Sequence, residues 1–255
     1  MTKTSRIRPT ELGEINICSL NVYGLSSKLN LGNLIDYIKD KNIFCVSESK
    51  SRLGIEIDGF TVFNLENRTE DYPLPGIHGL QVYISNDIAD SCAQIHDNNF
   101  ECNLVIWVRI KYRFILGSLY LRLEKSRYHI HNIHKEKTLF EHLSSDISRT
   151  HSKYDMPLLL NGDFNCRTGL RNEIMLLESH DNKLDDSHFK YPNIIDIFNS
   201  LNIPVSRTNK NPTTNNNGKD LIDLCKLHEL CIINGRVESD RNVGDLKCAG
   251  AQWTT

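Results

Sequence analysis

The segment INICSLNVYGLSSKLNLGNLIDYIKDKNIFCVSESK, residues 15–50, decides the fold. It opens with a short strand-like run at residues 15–21 and closes with a compact apolar run, IFCVS, at residues 43–47. Between the two runs, apolar residues recur at the i, i+3, i+4, i+7 spacing of one helix face: Leu31, Leu34, Ile35 and Ile38. A strand–helix–strand unit of this kind predicts two parallel strands in one sheet.

Beyond this unit the pattern changes to strand-like runs joined by polar connections, at residues 60–64, 80–85, 104–110 and 114–120. The link at 111–113 is short enough for a hairpin, although it lacks the usual glycine. Further patterns predict helices at 139–147, 194–201 and 221–225, strands at 156–161 and 230–233, and a polar connecting loop at 209–218. We therefore expect an α/β fold of mixed sheets covered by helices.

The composition is that of an ordinary globular protein, with 255 residues, 39% of them hydrophobic and 24% charged. The formal net charge is −2. A protein that binds nucleic acid mainly through its overall charge is usually strongly basic. Any nucleic-acid contact must therefore come from a local basic patch or through a bound metal ion.

The compartment is inferred from the N-terminus, the apolar runs and the cysteines. Residues 1–14 are polar, without the hydrophobic region of a signal peptide. The longest apolar runs, 104–108 and 156–160, fall short of the roughly 20 residues that span a bilayer. Eight scattered cysteines without a C-x-x-C pair predict buried thiols in a reducing compartment and speak against structural zinc. We expect an intracellular protein, in the nucleus or cytoplasm, without a membrane partner.

Polar residues follow several predicted strands: Asn21, Glu48, Tyr120, Asp163 and Asn165. In layered α/β folds, functional side chains gather just past the carboxyl ends of strands. Each of these residues also has an ordinary structural interpretation. An asparagine or aspartate after a strand commonly makes a turn, and a four-residue motif such as GDFN can occur by chance.

Five blocks in a fixed order favour the functional interpretation of these residues over the structural one. They are LNVYGLSSKL (20–29), IFCVSESK (43–50), GIHGLQVYIS (76–85), GSLYLRLEKSRYH (117–129) and LLLNGDFNCRTG (158–169). With these blocks the sequence resembles the endonuclease/exonuclease/phosphatase superfamily, which includes deoxyribonuclease I and the apurinic-site endonucleases. It is most similar to the endonuclease domains of non-LTR retrotransposons. The segment NNGKDLIDLCKLHELCIINGR (216–236) also looks like the retrotransposon branch.

The resemblance implies a fold and an activity. The fold would be two mixed β-sheets packed face to face with helices outside, a four-layer α/β sandwich. The activity would be metal-dependent phosphodiester hydrolysis, as endonucleolytic nicking of DNA, with Mg²⁺ or Mn²⁺ as cofactor and DNA as the partner of a monomer. The domain would occupy residues 14–248, between a polar tail at 1–13 and a short tail at 249–255 that need not be native to the domain.

The resemblance also implies roles for the five residues after the strands. Glu48 would be the main metal ligand, with Asn21 beside it near the metal and the phosphate. Tyr120 would contact the scissile phosphate, Asp163 would orient and activate the attacking water, and Asn165 would help to position water and phosphate. The chemistry agrees, because Mg²⁺ prefers oxygen ligands, often needs only one or two carboxylates, and offsets the charge that builds on the phosphate oxygens.

The sequence departs from the superfamily pattern at several positions. Ser49 stands where threonine is common, His78 where glycine is common, and Leu121 follows Tyr120 where prolines are common. The superfamily ends with two further strands that carry an S-x-x-D motif and a Ser-Asp-His motif. No Ser-Asp-His occurs in the 255 residues. We expect the last strands to be missing and the activity to be impaired by truncation.

A basic stretch follows Tyr120 and includes Arg122, Lys125 and Arg127. These three residues are candidates for contact with a nucleic-acid backbone, and a solvated loop is the equally weighted alternative. The spacing His129-x-His131-x-x-His134 suggests a metal site, but no carboxylate or cysteine ligand accompanies it.

Three functional hypotheses remain open at this point. The first is a Mg²⁺-dependent DNA endonuclease. The second is a catalytically inactive remnant or binding module with the same fold, which the missing Ser-Asp-His motif favours. The third is a phosphatase or a sphingomyelinase-type phosphodiesterase.

Overall fold

The computed structural model describes residues 13–29, 33–51, 54–65, 79–102, 104–121, 138–174 and 194–236. The chain divides into two compact units. The first comprises Met1–Leu121 and Arg149–Phe164, and the second comprises Arg122–Ser148 and Asn165–Thr255.

Both sheets lie in the first unit. The first sheet is built from β1 (Ile17–Asn21), β2 (Ile43–Ser47), β3 (Phe60–Asn64) and β4 (Gln81–Ser85). The second is built from β5 (Cys92–Gln94), β6 (Val105–Ile110), β7 (Phe114–Tyr120) and β8 (Leu158–Asp163). The helices within the described residues are α1 (Leu25–Leu29), α2 (Asn33–Ile38), α3 (Asn86–Ala89), α4 (Leu139–Tyr154), α5 (Ile194–Ser200) and α6 (Asn216–Leu227).

The first sheet has the strand order β1-β2-β4-β3. β1 and β2 are parallel, which confirms the strand–helix–strand prediction, and the other two pairings are antiparallel. All five residues of β2 are buried. Ile43 and Cys45 belong to one apolar cluster, whereas Phe44 and Val46 belong to another, as the twofold alternation of a strand requires.

Helices α1 and α2 cover the outer face of this sheet. Leu25, Leu34 and Ile38 are buried in the same cluster as Phe44 and Tyr83. Ile35, expected on the buried face of α2, is 39% exposed, so the apolar stripe of this helix is narrower than predicted. Leu31 lies outside the described residues.

The second sheet has the order β5-β6-β7-β8, with antiparallel β5-β6-β7 and a parallel β7-β8 pair. The predicted hairpin between β6 and β7 is present. Its turn uses Tyr112, at φ 58°, in the left-handed conformation that glycine usually supplies.

The two sheets pack face to face around a shared core. Cys45 and Val82 of the first sheet lie in one buried cluster with Ile106, Val108 and Leu116 of the second. The fold class is therefore the expected one, an α/β sandwich of two mixed four-stranded sheets with helices.

The second unit is described by its helices and a buried charged group. Phe140, Leu143 and Ile147 of α4 are buried, as the sequence pattern predicts. The carboxylate of Glu173 accepts hydrogen bonds from the guanidinium of Arg236 and from the main-chain N–H of Ile232, at 2.9 Å for the latter.

Two sequence predictions for the second unit are wrong. Residues 230–233 form no strand, because local partners take their main-chain groups: Leu230 N–H donates to Cys225 O, and Ile232 N–H to Glu173. The predicted loop 209–218 ends early, because α6 begins at Asn216. The side chain of Asn215 caps α6 by accepting a hydrogen bond from Gly218 N at 2.8 Å.

The seven cysteines in the described residues are thiols, with Cys45, Cys102 and Cys225 buried and the other four half-buried. Burial raises the pKa of the Cys45 thiol to about 12. Within the described ranges, no helix has the length and apolar character needed to cross a membrane.

Candidate active site

The carboxyl ends of the two parallel strand pairs carry four of the five predicted site residues. In the first sheet Asn21, at the end of β1, is in register with Ser47, and Glu48 follows directly. In the second sheet Tyr120, at the end of β7, is in register with Asp163, at the end of β8. All four residues belong to the first unit.

The side chain of Asn21 joins the two sheets at this edge. Its Nδ2 donates to Glu48 Oε1 and to Asp163 Oδ2, each at 3.0 Å. Its Oδ1 accepts a hydrogen bond from the main-chain N–H of Tyr23 at 3.2 Å. One amide thus brings together two carboxylates that are 115 residues apart in the chain, as Glu48 and Asp163 are.

The phenol of Tyr120 bonds to the same carboxylate. Its hydroxyl donates to Glu48 Oε1 at 2.6 Å. Glu48 and Tyr120 are both half-buried, so this short bond to a carboxylate is partly shielded from water. In this structure Tyr120 therefore positions Glu48, a contact that the sequence-based role did not include.

The loop that carries Glu48 is held in an unusual backbone conformation. Glu48 has φ 54° and Lys50 has φ 56°, in a region that non-glycine residues rarely occupy. Main-chain bonds fix this conformation: Gly24 N donates to Glu48 O at 2.8 Å, and Ser49 N donates to Gly79 O at 3.1 Å. Rarely populated backbone conformations of this kind are common at functional sites, where a side chain must keep a fixed direction.

Asp163 depends on the glycine that precedes it. Gly162 has φ 140°, and a Cβ atom there would lie 1.9 Å from the carbonyl oxygen of Leu119 in β7. Beyond it, Leu121 N donates to Asp163 O at 2.8 Å, so the β7–β8 pairing continues past the glycine. The sequence NGD therefore allows the two strands to approach closely and fixes Asp163 at their end.

The side chains at this edge suit a hard cation with oxygen ligands. Glu48 makes no ion pair among the described residues, and its Oε2 makes no hydrogen bond with any of them. Two carboxylates that share one amide repel each other unless a cation lies nearby. No group of three or more His, Cys, Asp or Glu side chains with metal-binding geometry occurs in the described part of the chain. The carboxylates of Glu48 and Asp163 therefore fit Mg²⁺ or Mn²⁺, which often need only one or two carboxylates, better than they fit a closed zinc site.

The other predicted site residues belong to the second unit or lie outside the described residues. Asn165 belongs to the second unit, where its main-chain carbonyl accepts a hydrogen bond from Asn215 Nδ2 at 3.3 Å. Asn165 has φ 47°, a conformation that asparagine tolerates better than most residues. The substrate-binding candidates Arg122, Lys125 and Arg127 lie outside the described residues, as do His78 and the histidines at 129–134.

Two residues beside the site were missed by the sequence reasoning. The ammonium Nζ of Lys50 lies 3.2 Å from the ring centroid of Tyr23, and Tyr23 is 71% exposed. Each follows a predicted site residue by two positions: Tyr23 follows Asn21, and Lys50 follows Glu48. An aromatic residue two positions after Asn21 and a basic residue two positions after Glu48 were the signal that could have found them.

No protein-family profile matches the sequence, and no curated protein sequence matches it. Solved structures with a similar fold do exist. They include the AP endonuclease LMAP from Leishmania major, with 13% sequence identity over 62% of this chain and 57% of that one, at a TM-score of 0.46.

Two further similar structures are an endonuclease domain and a phosphatase. The endonuclease domain of TRAS1, a telomere-specific non-LTR retrotransposon, is 16% identical over 60% of this chain and 62% of its own, at a TM-score of 0.40. The 3' phosphatase NExo from Neisseria, bound to a product DNA hairpin, is 13% identical over 61% and 60%, at a TM-score of 0.43. The match spans less than two thirds of each of these structures.

Proposed function

We propose that the chain is a divalent-metal-dependent phosphodiesterase that nicks DNA. The observation that carries the proposal is the bonded group of Asn21, Glu48, Tyr120 and Asp163 at the carboxyl ends of two parallel strand pairs. The group combines one carboxylate for a cation, that of Glu48, with a second, that of Asp163, which can accept a proton. The block at residues 209–236, which looks like the retrotransposon branch, favours DNA over other phosphodiesters.

Glu48 would be the main protein ligand of Mg²⁺ or Mn²⁺, with Asn21 beside it. The carboxylate of Glu48 is an oxygen donor of the kind that these ions take. Asn21 turns its Nδ2 toward this carboxylate, so it would orient the ligand next to the ion. When bound, the ion would offset the negative charge that develops on the phosphate oxygens during hydrolysis.

Asp163 would act on the attacking water. A carboxylate within hydrogen-bond reach of water can accept its proton while the oxygen attacks phosphorus and the bond to the leaving oxygen breaks. The bond from Asn21 Nδ2 holds the Asp163 carboxylate in place at the strand end. Tyr120 would contact the phosphate, Asn165 would help to place water and phosphate, and Arg122, Lys125 and Arg127 would contact the DNA backbone.

Nicking of supercoiled plasmid by the purified chain tests this proposal. We expect open-circular product with Mg²⁺ or Mn²⁺ and none with EDTA. Glu48→Gln and Asp163→Asn keep the shape of the side chains and remove a negative charge, so each should lower the rate by about 100-fold or more. The matched control is Glu56→Gln, an exposed acidic residue in another loop of the same unit, which should cleave like the wild type.

Equal cleavage by Glu48→Gln and the wild type, or cleavage that survives EDTA, would overturn the proposal. The second candidate is a module that binds DNA without cutting it. That candidate predicts plasmid binding in a gel-shift assay with no nicking at any metal concentration.

A further inference from the structure

Tyr23 and Lys50 form an exposed aromatic–cation pair. The ring of Tyr23 is 71% exposed, and Lys50 is exposed as well. The Lys50 ammonium lies 3.2 Å from the ring centroid, which is close for an attraction between a cation and an aromatic face. Neither side chain packs in the apolar core of its unit.

The pair is fixed to the loops that carry the candidate site. Tyr23 N–H donates to Asn21 Oδ1 at 3.2 Å, and Lys50 lies two residues after Glu48. The two loops are joined by the hydrogen bonds Gly24 N to Glu48 O at 2.8 Å and Leu25 N to Ser49 O at 2.9 Å. The ring and the ammonium therefore border the bonded group of Asn21 and Glu48.

Stability does not explain this arrangement. Tyr23 has φ 45° and Lys50 has φ 56°, and both are bulky residues in a backbone region that costs them free energy. A buried aromatic side chain would offset that cost by leaving water, but Tyr23 remains largely in water. The strained backbone places the ring and the ammonium at the rim of the site.

The ring and the ammonium together could bind the two parts of one nucleotide, its base and its phosphate. A nucleobase has a flat face that stacks on an exposed aromatic ring, and its phosphate is a partner for an ammonium. The phosphorylated headgroup of a lipid or an inositol has phosphate but no aromatic face. Stacking on a side chain also requires that the base has left its neighbours in the duplex.

We propose that Tyr23 stacks on an unpaired base next to the hydrolysed phosphate while Lys50 contacts that nucleotide's phosphate. This inference rests on the proposed function and adds the substrate class, a nucleic-acid strand with an unstacked nucleotide at the site. It also adds two substrate-contacting residues that the sequence blocks did not single out.

The test measures binding without hydrolysis. A 5′-fluorescein-labelled 20-nucleotide oligothymidine is titrated with the purified chain in EDTA, and its anisotropy is followed. Tyr23→Ala should weaken binding by about 10-fold, and Tyr23→Phe should bind like the wild type because the stacking face is kept. Lys50→Gln should reduce the slope of log K against log salt by about 0.7, which corresponds to one phosphate contact on a single strand.

Tyr112→Ala is the matched control. Tyr112 is also an exposed tyrosine, at 77%, with the ammonium of Lys111 at 5.4 Å, but it lies in the β6–β7 turn at the opposite end of β7 from Tyr120. Its removal should leave binding unchanged. A labelled duplex of the same length should bind more weakly than the oligothymidine and should lose less affinity in Tyr23→Ala.

The inference is overturned if Tyr23→Ala binds like the wild type, if Tyr112→Ala weakens binding equally, or if the wild type does not bind the oligothymidine. The plasmid assay separates these failures from those of the proposed function. Metal-dependent nicking with no effect of Tyr23→Ala on binding removes this inference alone. Binding through Tyr23 without nicking removes the hydrolytic function alone.

Discussion

At the residue scale, the amide of Asn21 sets the geometry of the candidate site. Because Oδ1 accepts from Tyr23 N–H, the nitrogen Nδ2 must face the carboxylates, and its two hydrogens serve Glu48 and Asp163. An aspartate at this position could not make both bonds and would add a third negative charge. The uncharged asparagine can therefore bond to both carboxylates without adding a negative charge of its own.

Tyr120→Phe tests whether the tyrosine supports Glu48. The change removes the 2.6 Å bond to Glu48 Oε1 and keeps the ring. Groups that orient a metal ligand typically contribute 10- to 100-fold in affinity, so we expect Mn²⁺ binding to weaken by about 10-fold in isothermal titration calorimetry. Tyr112→Phe, in the β6–β7 turn, is the control. Unchanged Mn²⁺ affinity in Tyr120→Phe would show that the hydroxyl does not act through Glu48.

The identities of these residues could be predicted from the sequence, but their bonds could not. The position of a polar residue at the end of a strand is readable, as for Asn21 and Glu48. The Asn21–Asp163 bond spans 142 residues and depends on how two sheets pack. The exposed ring of Tyr23 was missed because a tyrosine in an apolar run resembles a core residue.

At the element scale, the β7–β8 pair depends on Gly162. Gly162→Ala would place a methyl group against the carbonyl oxygen of Leu119 and force a strained φ. We expect a loss of about 3 kcal/mol or more in the free energy of unfolding, because steric overlap adds to backbone strain of about 1–3 kcal/mol. Urea denaturation measures this loss.

Gly59→Ala provides the control for the strain alone. Gly59 has φ 83°, but a Cβ atom there would meet nothing within 4 Å. The expected loss is about 1–2 kcal/mol, the cost of a left-handed conformation without a clash. Equal losses in the two variants would mean that the close approach of β7 and β8 is not what requires Gly162.

Elements with strong periodicity were predictable and short polar ones were not. The bounds of β2, β3 and β7 agree with the sequence prediction, because apolar runs bounded by polar residues mark strands. The one-turn helices α1 and α3 and the three-residue strand β5 carry too few apolar residues to show a period. The false strand at 230–233 was apolar enough, but Glu173 takes the N–H of Ile232 that a neighbouring strand would have bound.

At the scale of the whole molecule, each compact unit has its own source of stability. The first contains the core between the sheets. The second contains the fully buried pair of Glu173 and Arg236, and Arg207 Nε lies 4.0 Å from the other oxygen of Glu173. Burial lowers the pKa of Arg207, and the nearby charge of Glu173 opposes that shift. A single carboxylate thus balances two buried guanidinium groups.

Glu173→Gln should destabilise the second unit. The variant leaves two buried cations without a counter-charge, which typically costs about 3–5 kcal/mol. Amide hydrogen exchange should show lost protection within 165–174 and 194–236. The control is Asp223→Asn, an exposed acidic residue of α6, which should change protection little. Full protection in Glu173→Gln would mean that the second unit does not depend on this buried charge pair.

We propose that Glu48, positioned by Asn21 and Tyr120, holds a divalent metal ion beside Asp163. Mn²⁺ binding to the purified chain, followed by electron paramagnetic resonance, tests it most directly because the measurement does not require turnover. We expect one Mn²⁺ site whose affinity weakens by about 100-fold or more in Glu48→Gln, since a lost ligand costs at least as much as a lost supporting bond. The Mn²⁺ affinity should be unchanged in Glu56→Gln. The absence of a Mn²⁺ site, or equal affinity in Glu48→Gln and the wild type, would contradict it.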